Sequence, residues 1–547
     1  MIKDLIQQDI HQAIDSLQAS GVWSMFEKPQ MSLSIPSVES HGDFATNVAM
    51  QLAKDVGKSP LAIAEEIRDR LKADYVRVQI AHPGFLNFFV TGAQLIDEVK
   101  GILKQGDTYG TSTTGKGQKV VVEFISANPT GPLTLPNGRG GFLGDVLSTV
   151  LERQGYTVIR EYYINDRGNQ IDVLGESVAR RYLQQQGINV PFGDDLYQGE
   201  YIGELAKKLE LKDYKLTNLK KLEWVKDRVK EKALLLMLDE IKRVVTEKMG
   251  IKYDEWFSEK SLYDQGTVEL MTQKLKQEDS TYIEDGAVWL KTEQYGDDKN
   301  RVLEKSSGEG AYIQGDVSLF YDRAFRRKVN KVIIVLGADH HGYEKRLKAI
   351  PKLLHSDTEF DLIFSQMATL TMNGKEIRMS KRAGNFVTIE ELIDEVGIDA
   401  TRFFFLMFSH DRQMNFDMAL AKEQSDKNPV YYVQYAHARL CSILREVEKI
   451  GAPKQKKIVI DSDAEKKLIK VLVGYPEVLQ QVSQSYEVHH IAGYAVDVAR
   501  AFHHFYGSCR VIDNGEVDGS RYWLAKAAQQ VLQQTLSVMG ISAPEKM

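Results

Sequence analysis

The sequence predicts an α/β protein built on a doubly wound parallel sheet, with a smaller α+β unit before it and an all-helical bundle after it. Three observations carry this expectation. Two compact apolar runs, Val120 to Ile125 and Lys331 to Leu336, have the form of strands buried on both faces, and each leads through a loop into a helical pattern. Ahead of them YVRVQI alternates apolar and polar residues and PGFLNFFV follows after a turn, the pattern of an antiparallel strand pair. Beyond Asp411 the chain is almost wholly helical in period. A length of 547 residues suits about three domains.

Composition narrows the class. Hydrophobic residues make up 43% and charged residues 27%, which excludes a disordered chain. Cys441 and Cys509 are the two cysteines, too few for a disulfide framework or a zinc cluster, so a reducing, cytoplasmic setting is expected. No apolar stretch of about 18 residues occurs, and the opening MIKDLIQQDIHQAIDSL carries charges at helical spacing, so neither a membrane span nor a secretory signal is expected. The net charge of -6 gives no simple nucleic-acid signal.

Residues 1–105 read as the α+β unit. Its helices are separated by Gly57-Lys58-Ser59-Pro60, with Ser59 a fitting N-cap and Pro60 at the first helical position. The Gly-, Thr- and Ser-rich stretch 106–117 reads as a linker. Residues 106–410 form the sheet domain. Its first buried strand is followed by the loop SANPTGPLTLPNGRGG and a helix with Leu143, Val146, Leu147, Val150 and Leu151 on one stripe. A helical insertion at about 180–250 is rich in lysine, with 13 basic against 8 acidic residues from Leu205 to Lys248; a solvated hairpin or an RNA-facing track would both fit. Residues 411–547 form the bundle, in strings such as NPVYYVQYAHARLCSILREV.

The sharpest local motif is NGKEIRMSKRAGNFVT. Glycines 374 and 384 bracket Lys375, Arg378, Lys381 and Arg382, a basic loop at 375–385 suited to neutralising charge on a polyphosphate. Arg378-Met379-Ser380-Lys381 resembles the signature loop of class I aminoacyl-tRNA synthetases. Those enzymes carry a second signature, His-x-Gly-His, after the first buried strand, where it and a helix N-terminus hold ATP phosphates. The flanks VVVEFISANPTGPL and GRGGFLGD resemble the arginyl-tRNA synthetase version of that region, but the motif departs from it. Thr134, Leu135, Pro136 and Asn137 occupy the four positions, so the Thr hydroxyl and the Asn amide stand where imidazoles are usual.

The resemblance to arginyl-tRNA synthetases extends over nearly the whole chain. GDFATNVAMQLAK and PGFLNFFV are similar to their N-terminal domain, which reads the tRNA D-loop; EYYINDRGNQ and VLGADHHGYEKRLK are similar to core stretches; NPVYYVQYAHARLCSIL and GISAPEKM resemble their anticodon-binding domain. It implies a Rossmann-type catalytic domain and an arginine-tRNA ligase using ATP, with Mg²⁺ arriving on the nucleotide and no tightly bound protein metal. Partners are then tRNA(Arg), L-arginine and ATP, with no membrane, for a monomeric enzyme. Thr134, Asn137, Arg378 and Lys381 become the catalytic set. Ser126, Thr134, Asn137, Gly138, Gly337, Asp339, Met379, Ser380 and Lys381 become the ATP site.

A guanidinium is a planar, permanently charged fork, and selecting it over an ammonium takes carboxylates and neutral acceptors set in its plane. Residues matching the family's arginine pocket are Glu123, Asn128, Tyr312 and Asp316, with His340 as a further candidate. Apart from the resemblance, Glu123 also reads as an ion pair inside the sheet and Asp316 as a helix cap. For tRNA, whose unpaired bases stack on aromatic faces, His82, Phe85 and Asn87 match the D-loop contacts, although Phe85 also reads as core. Of Tyr431, Tyr432 and Tyr435, which cannot share one helix face, Tyr435 is expected on the anticodon side. The missing histidines leave an alternative, a tRNA-binding relative that no longer ligates.

Overall fold

The computed structural model describes the chain apart from Met1, Gln30, Ile35, Ser37, Ala73, 210–221, Asn373, 377–386 and 454–457, and apart from the side chains at 39, 223, 224 and 227. The Arg378 to Lys381 motif, with its expected catalytic and ATP-binding roles, lies outside the described residues.

The N-terminal unit packs the Ile2–Ala19 helix and the Pro60–Arg70 helix beside a three-stranded sheet in the order β1 (Phe44–Thr46), β3 (Phe85–Val90), β2 (Val76–Ala81). Ser59 caps the second helix, accepting from Ala62 N at 3.3 Å. The β2–β3 pair is antiparallel, as the alternation predicts. The following stretch, expected as a linker, is packed rather than free. Tyr109 is 4% exposed and donates to the Leu472 carbonyl, while Gly110 approaches Tyr475 so closely that a Cβ would lie 2.8 Å from its ring. The Gly92–Gln105 helix lies against the C-terminal bundle, with Gln530 and Gln534 donating to the Gly106 carbonyl. Small residues make this stretch look like linker because they permit close approach as readily as they permit freedom.

The central sheet is wholly parallel: β11 (Glu359–Ser365), β10 (Lys331–Gly337), β4 (Lys119–Glu123), β5 (Thr157–Ile164), β6 (Glu255–Ser258). Strand order runs outward from β4 to β6 and returns on the other side through β10 to β11. The crevice beyond the C-terminal ends of β4 and β10 is therefore the switch point where such sheets bind ligands. The Leu135–Arg153 helix follows β4 and lies close upon its end: a Cβ at Gly144 would meet Phe124 Cγ at 2.3 Å. Between β5 and β6 the Asn169–Gln185 and Leu222–Arg243 helices pack together, joined by Glu176–Lys226 and Asp172–Lys230 ion pairs. A separate antiparallel sheet of β7 (Thr281–Glu284), β8 (Ala287–Leu290) and β9 (Arg301–Glu304) precedes the Tyr312–Tyr321 helix.

The C-terminal bundle holds the Pro429–Ile450, Asp463–Val473, His489–Ser508 and Gly519–Val538 helices. Their starts follow from sequence: Asn428 before Pro429, the Ser462/Glu465 capping box, and Asp518 accepting from Ser520 N and Arg521 N. One departure lies just past Asp411, where helix was expected: Met414–Asp417 is a strand pairing parallel with Ala368–Met372. Four residues are too few to display a period, and pairing across the fold decides their conformation.

Candidate active site at the sheet switch point

The turn leaving β4 is strained and tightly held. Ile125 and Ser126 have φ of 64° and 39°, a region costly for a side chain and above all for a β-branched one. Three tyrosine hydroxyls fix the carbonyls around them: Tyr253 to Phe124 at 2.8 Å, Tyr162 to Ala127 at 2.9 Å, and Tyr201 to Thr130 at 2.7 Å. Ser126 Oγ accepts from Tyr163 N at 3.1 Å. None of these tyrosines stands out in the sequence, because each acts from a distant segment.

On one side of the crevice the following helix begins at Thr134. Thr134 donates to Asn137 Oδ1 twice, from its backbone N at 2.9 Å and its Oγ at 2.8 Å. Asn137 thus caps the helix with its oxygen and keeps its amide NH₂ as the possible donor to a ligand. The helix start adds a partial positive charge, although Pro136 brings no N–H and Gly138 N is already bonded to the Thr134 carbonyl. Gly138 is buried where the Ile389–Val396 helix crosses, a Cβ there falling 2.4 Å from Ile389 Cδ1. Thr388 bridges to Thr134, and Ile389 N donates to the Leu133 carbonyl at 2.9 Å. Thr388 and Ile389 therefore rest directly on the turn that carries Thr134. At the end of β10, Gly337 begins the Ala338–Tyr343 turn, with Asp339 and His340 exposed.

The other side gathers acids. Glu123 and Glu161 sit opposite each other on β4 and β5, and the buried guanidinium of Arg323 bonds both. Arg327 also pairs with Glu161, and these cations hold its carboxyl low despite burial. The ion-pair expectation for Glu123 is thus realised, and any ligand role it has is shared with Arg323. Asp316 lies inside the Tyr312–Tyr321 helix, whose N-cap is Ala311, so it is no cap. It pairs with Arg346 at 3.0 Å, and burial pushes its carboxyl up against that cation. Tyr312, at the first position of that helix, is 88% exposed. Asn128 is exposed, its Oδ1 3.3 Å from the Asn165 amide. His340 contacts Asp339 at 3.6 Å and the Tyr343 ring, over which lies Arg346, the partner of Asp316.

Sequence reasoning missed Glu259, at the start of the Glu259–Asp264 helix. It lies near the Tyr163 hydroxyl, and a Cβ at Gly315 would lie 3.5 Å from its Oε1, which places it beside Asp316. Burial raises its carboxyl, and Asp166 and Asp316 raise it further. Arg139 and Arg402 were also missed. Arg139 is 2% exposed, donating to the Gln366 and Ser409 carbonyls at 2.8 Å each, and burial pulls its guanidinium down to about 10. Arg402 joins Asp145 of the Leu135–Arg153 helix, the Met249 carbonyl and the Met539 carbonyl of the bundle.

The expected tRNA surfaces are remote from the crevice in sequence. Phe85 is 38% exposed and so is not core; Asn87, two residues on and on the same sheet face, is buried; His82 is exposed. Arg77 stacks 4.3 Å over Phe89 on that face. In the bundle Tyr435 stacks with Tyr431 and with His503, and receives a hydrogen bond from Arg439, which also bonds Tyr506. Tyr432 turns to the other side of His503, 4.8 Å from its ring.

Comparison with known proteins agrees with this architecture. The profile for the arginyl tRNA synthetase N terminal domain matches residues 2–90, that for tRNA synthetases class I (R), catalytic domain, matches 98–415, and that for the DALR anticodon binding domain matches 433–547. Relatives named arginine–tRNA ligase include one from Shouchella clausii, 42% identical over 100% of this chain and 99% of its own length. Another, from Syntrophotalea carbinolica, is 42% identical over 95% of each. Thermus thermophilus arginyl-tRNA synthetase superposes over all of both chains with a TM-score of 0.77 at 20% identity, which speaks for the fold alone. The strand order, the acid group beside β4 and full-length identity at this level converge: the chain belongs to the arginyl-tRNA synthetase family of class I aminoacyl-tRNA synthetases.

Proposed function

We propose that the chain ligates L-arginine to tRNA(Arg) in two steps. The arginine carboxylate attacks the α-phosphorus of ATP, breaking the bond to pyrophosphate and leaving arginyl-adenylate. A hydroxyl of the terminal adenosine of tRNA, the 2′-hydroxyl by family analogy, then attacks the carbonyl carbon and AMP leaves. No side-chain nucleophile is needed, so the protein contributes position and charge. The observation that carries this reading is the pairing, at one switch point, of an acid group suited to a guanidinium with a helix start suited to phosphate.

Asp316, Glu259 and Glu123 supply the negative charge toward the guanidinium, with Tyr312 offering a ring face and Asn128 an amide toward the α-amino end. His340 would join only if the exposed Ala338–Tyr343 turn closes inward. Thr134 and Asn137, the helix N-terminus, Ser126, Gly337 and Asp339 line the nucleotide's path, while the buried Gly138, expected in the ATP site, instead admits the Ile389–Val396 helix. Mg²⁺ enters as part of the nucleotide substrate, held by phosphate oxygens. Lys381 and Arg378 complete the charge balance on pyrophosphate. The stacked Tyr435–His503 group beside Arg439, and the Phe85 face with His82, suit unpaired bases, whereas the buried Asn87 does not reach that surface. The domain division at 105/106 and 410/411, a monomeric state and a cytoplasmic location belong to the same proposal; among the described residues no helix is long and apolar enough to cross a membrane. No comparison supports the non-ligating alternative. Aminoacylation with purified tRNA(Arg), radiolabelled arginine and ATP tests the whole: acid-precipitable arginine supports it, and tRNA binding with no adenylate and no charged tRNA overturns it.

A further inference from the structure

The turn between β5 and the Asn169–Gln185 helix, Asn165-Asp166-Arg167, grips the neighbouring Glu259–Asp264 helix with three consecutive side chains. Asp166 accepts from Ser258 Oγ at 2.5 Å and from Lys260 N at 2.9 Å, so one carboxylate pins the residues on both sides of Glu259. Arg167 lies 3.2 Å over the ring of Tyr263, at the far end of the same short helix. Asn165, with its amide turned to satisfy its neighbours, donates to Glu259 Oε2 at 3.0 Å and to the Arg167 carbonyl at 3.3 Å. On its other side it is 3.3 Å from Asn128 Oδ1.

A helix of six residues has little rigidity of its own. A carboxylate that must meet a planar guanidinium in register needs its backbone fixed to a fraction of an ångström. We propose that Asp166 is a positioning residue for arginine specificity, holding the Ser258 hydroxyl before Glu259 and the Lys260 backbone after it so that this carboxylate stays aimed beside Asp316. This rests on the guanidinium reading of the acid group given above. Asp166 touches neither substrate nor nucleotide in this role; it acts through Glu259.

The test measures arginine and ATP Michaelis constants and kcat, with tRNA saturating, for Asp166→Ala, Asp166→Asn, Ser258→Ala and Glu259→Gln in the full chain. Asn at 166 keeps an acceptor for Lys260 N and an amide for Ser258 Oγ, so it should behave like the parent. Asp166→Ala should raise the arginine constant by about tenfold while kcat and the ATP constant move by less than about threefold, because loosening binds the ligand less well without altering the reacting end. Ser258→Ala, which removes one of the two bonds, should fall between and serves if Asp166→Ala does not fold. If Glu259→Gln raises the arginine constant and neither Asp166→Ala nor Ser258→Ala does, the positioning role is wrong. If Glu259→Gln leaves it unchanged, the pocket reading beneath it fails instead. A parallel loss in all three kinetic constants with a lowered melting temperature, unrescued by Asp166→Asn, would reduce Asp166 to a structural turn residue.

Discussion

The two sides of the crevice hold charge in opposite ways. On the acid side, Glu123, Glu161 and Asp316 are formal charges set deep enough to be costly, and each is met by a guanidinium of the chain itself, Arg323, Arg327 or Arg346. On the phosphate side, Thr134 and Asn137 are neutral, bonded to each other, and backed only by the partial charge of a helix start. On the reading proposed above, an arginine ligand would enter a field in which Glu123, Glu161 and Asp316 are already met by arginines, which favours planar hydrogen-bond geometry over bare charge. On the same reading, a triphosphate would instead meet donors that cannot neutralise it, and its compensation would fall to Mg²⁺ and to the basic residues of the 375–385 motif.

That contrast breaks most visibly at Asn137. Asn137→Asp keeps an acceptor for Thr134, and an acid in the first helical turn suits the helix dipole, so stability should hold. It also removes the amide donor and places negative charge against phosphate. Single-turnover formation of arginyl-adenylate with tRNA present should fall by about 10- to 1000-fold, and Lys381→Ala should cost at least as much. Asn137→Ala should add a loss of about 1 kcal/mol in unfolding free energy from the lost cap. An unchanged adenylate rate in Asn137→Asp would leave Asn137 as a helix-start residue alone and move the phosphate contacts elsewhere.

How much of this was legible in sequence follows from the range over which each feature is determined. The buried strands at Val120 and Lys331 declare themselves because continuous apolar runs need only their own residues, and the Ser59, Asn428 and Ser462 caps because they act within one helical turn. Glu123, Asp316, Thr134 and Asn137 come from family motifs; Glu123 ends β4, Thr134 and Asn137 start the helix that follows it, and Asp316 pairs with Arg346. Glu259 has no such signal: its meaning arises only when the Tyr312–Tyr321 helix brings Asp316 beside it. Arg139 and Arg402 read as ordinary charged residues on helices, since the carbonyls of Gln366, Ser409, Met249 and Met539 that receive them are assembled from distant segments. The 106–117 stretch misleads for the same reason, its small residues serving close packing against Tyr475 and Tyr156.

A second, smaller effect sharpens the acid side. Asp316→Asn keeps the shape but removes one charge-assisted partner of the guanidinium and leaves Arg346 without its counter-ion. The arginine Michaelis constant should rise by about tenfold or more, since such bonds are worth about 1.5–3 kcal/mol. The ATP constant should stay within about twofold, because the phosphate side shares no hydrogen bond with Asp316 among the described residues. An unchanged arginine constant would take Asp316 out of the pocket and leave its ion pair with Arg346 as a purely structural one.

The smallest expected effect separates the two sides by titration. Burial raises the carboxyls of both Glu259 and Asp316, so as pH falls they take up protons before ordinary carboxylates, which titrate near about 4, do so. The ligand guanidinium keeps its charge throughout. Arginine binding favours the ionised acids and so becomes weaker as pH falls through their raised values and flat above them, the sign opposite to that of a group whose protonated form binds. Thr134 and Asn137 carry no titrating group, so these two residues add no pH dependence of their own. Arginine affinity measured by calorimetry with tRNA present, from neutral pH downward, should therefore weaken by a few-fold before the protein unfolds. Asp316→Asn should show a shallower slope, having lost one of the two titrating acids, whereas Asn137→Ala should show the parent's slope. If Asp316→Asn retained the full slope, Glu259 alone would govern the dependence; if neither substitution nor pH altered affinity, the raised acids would not face the guanidinium at all.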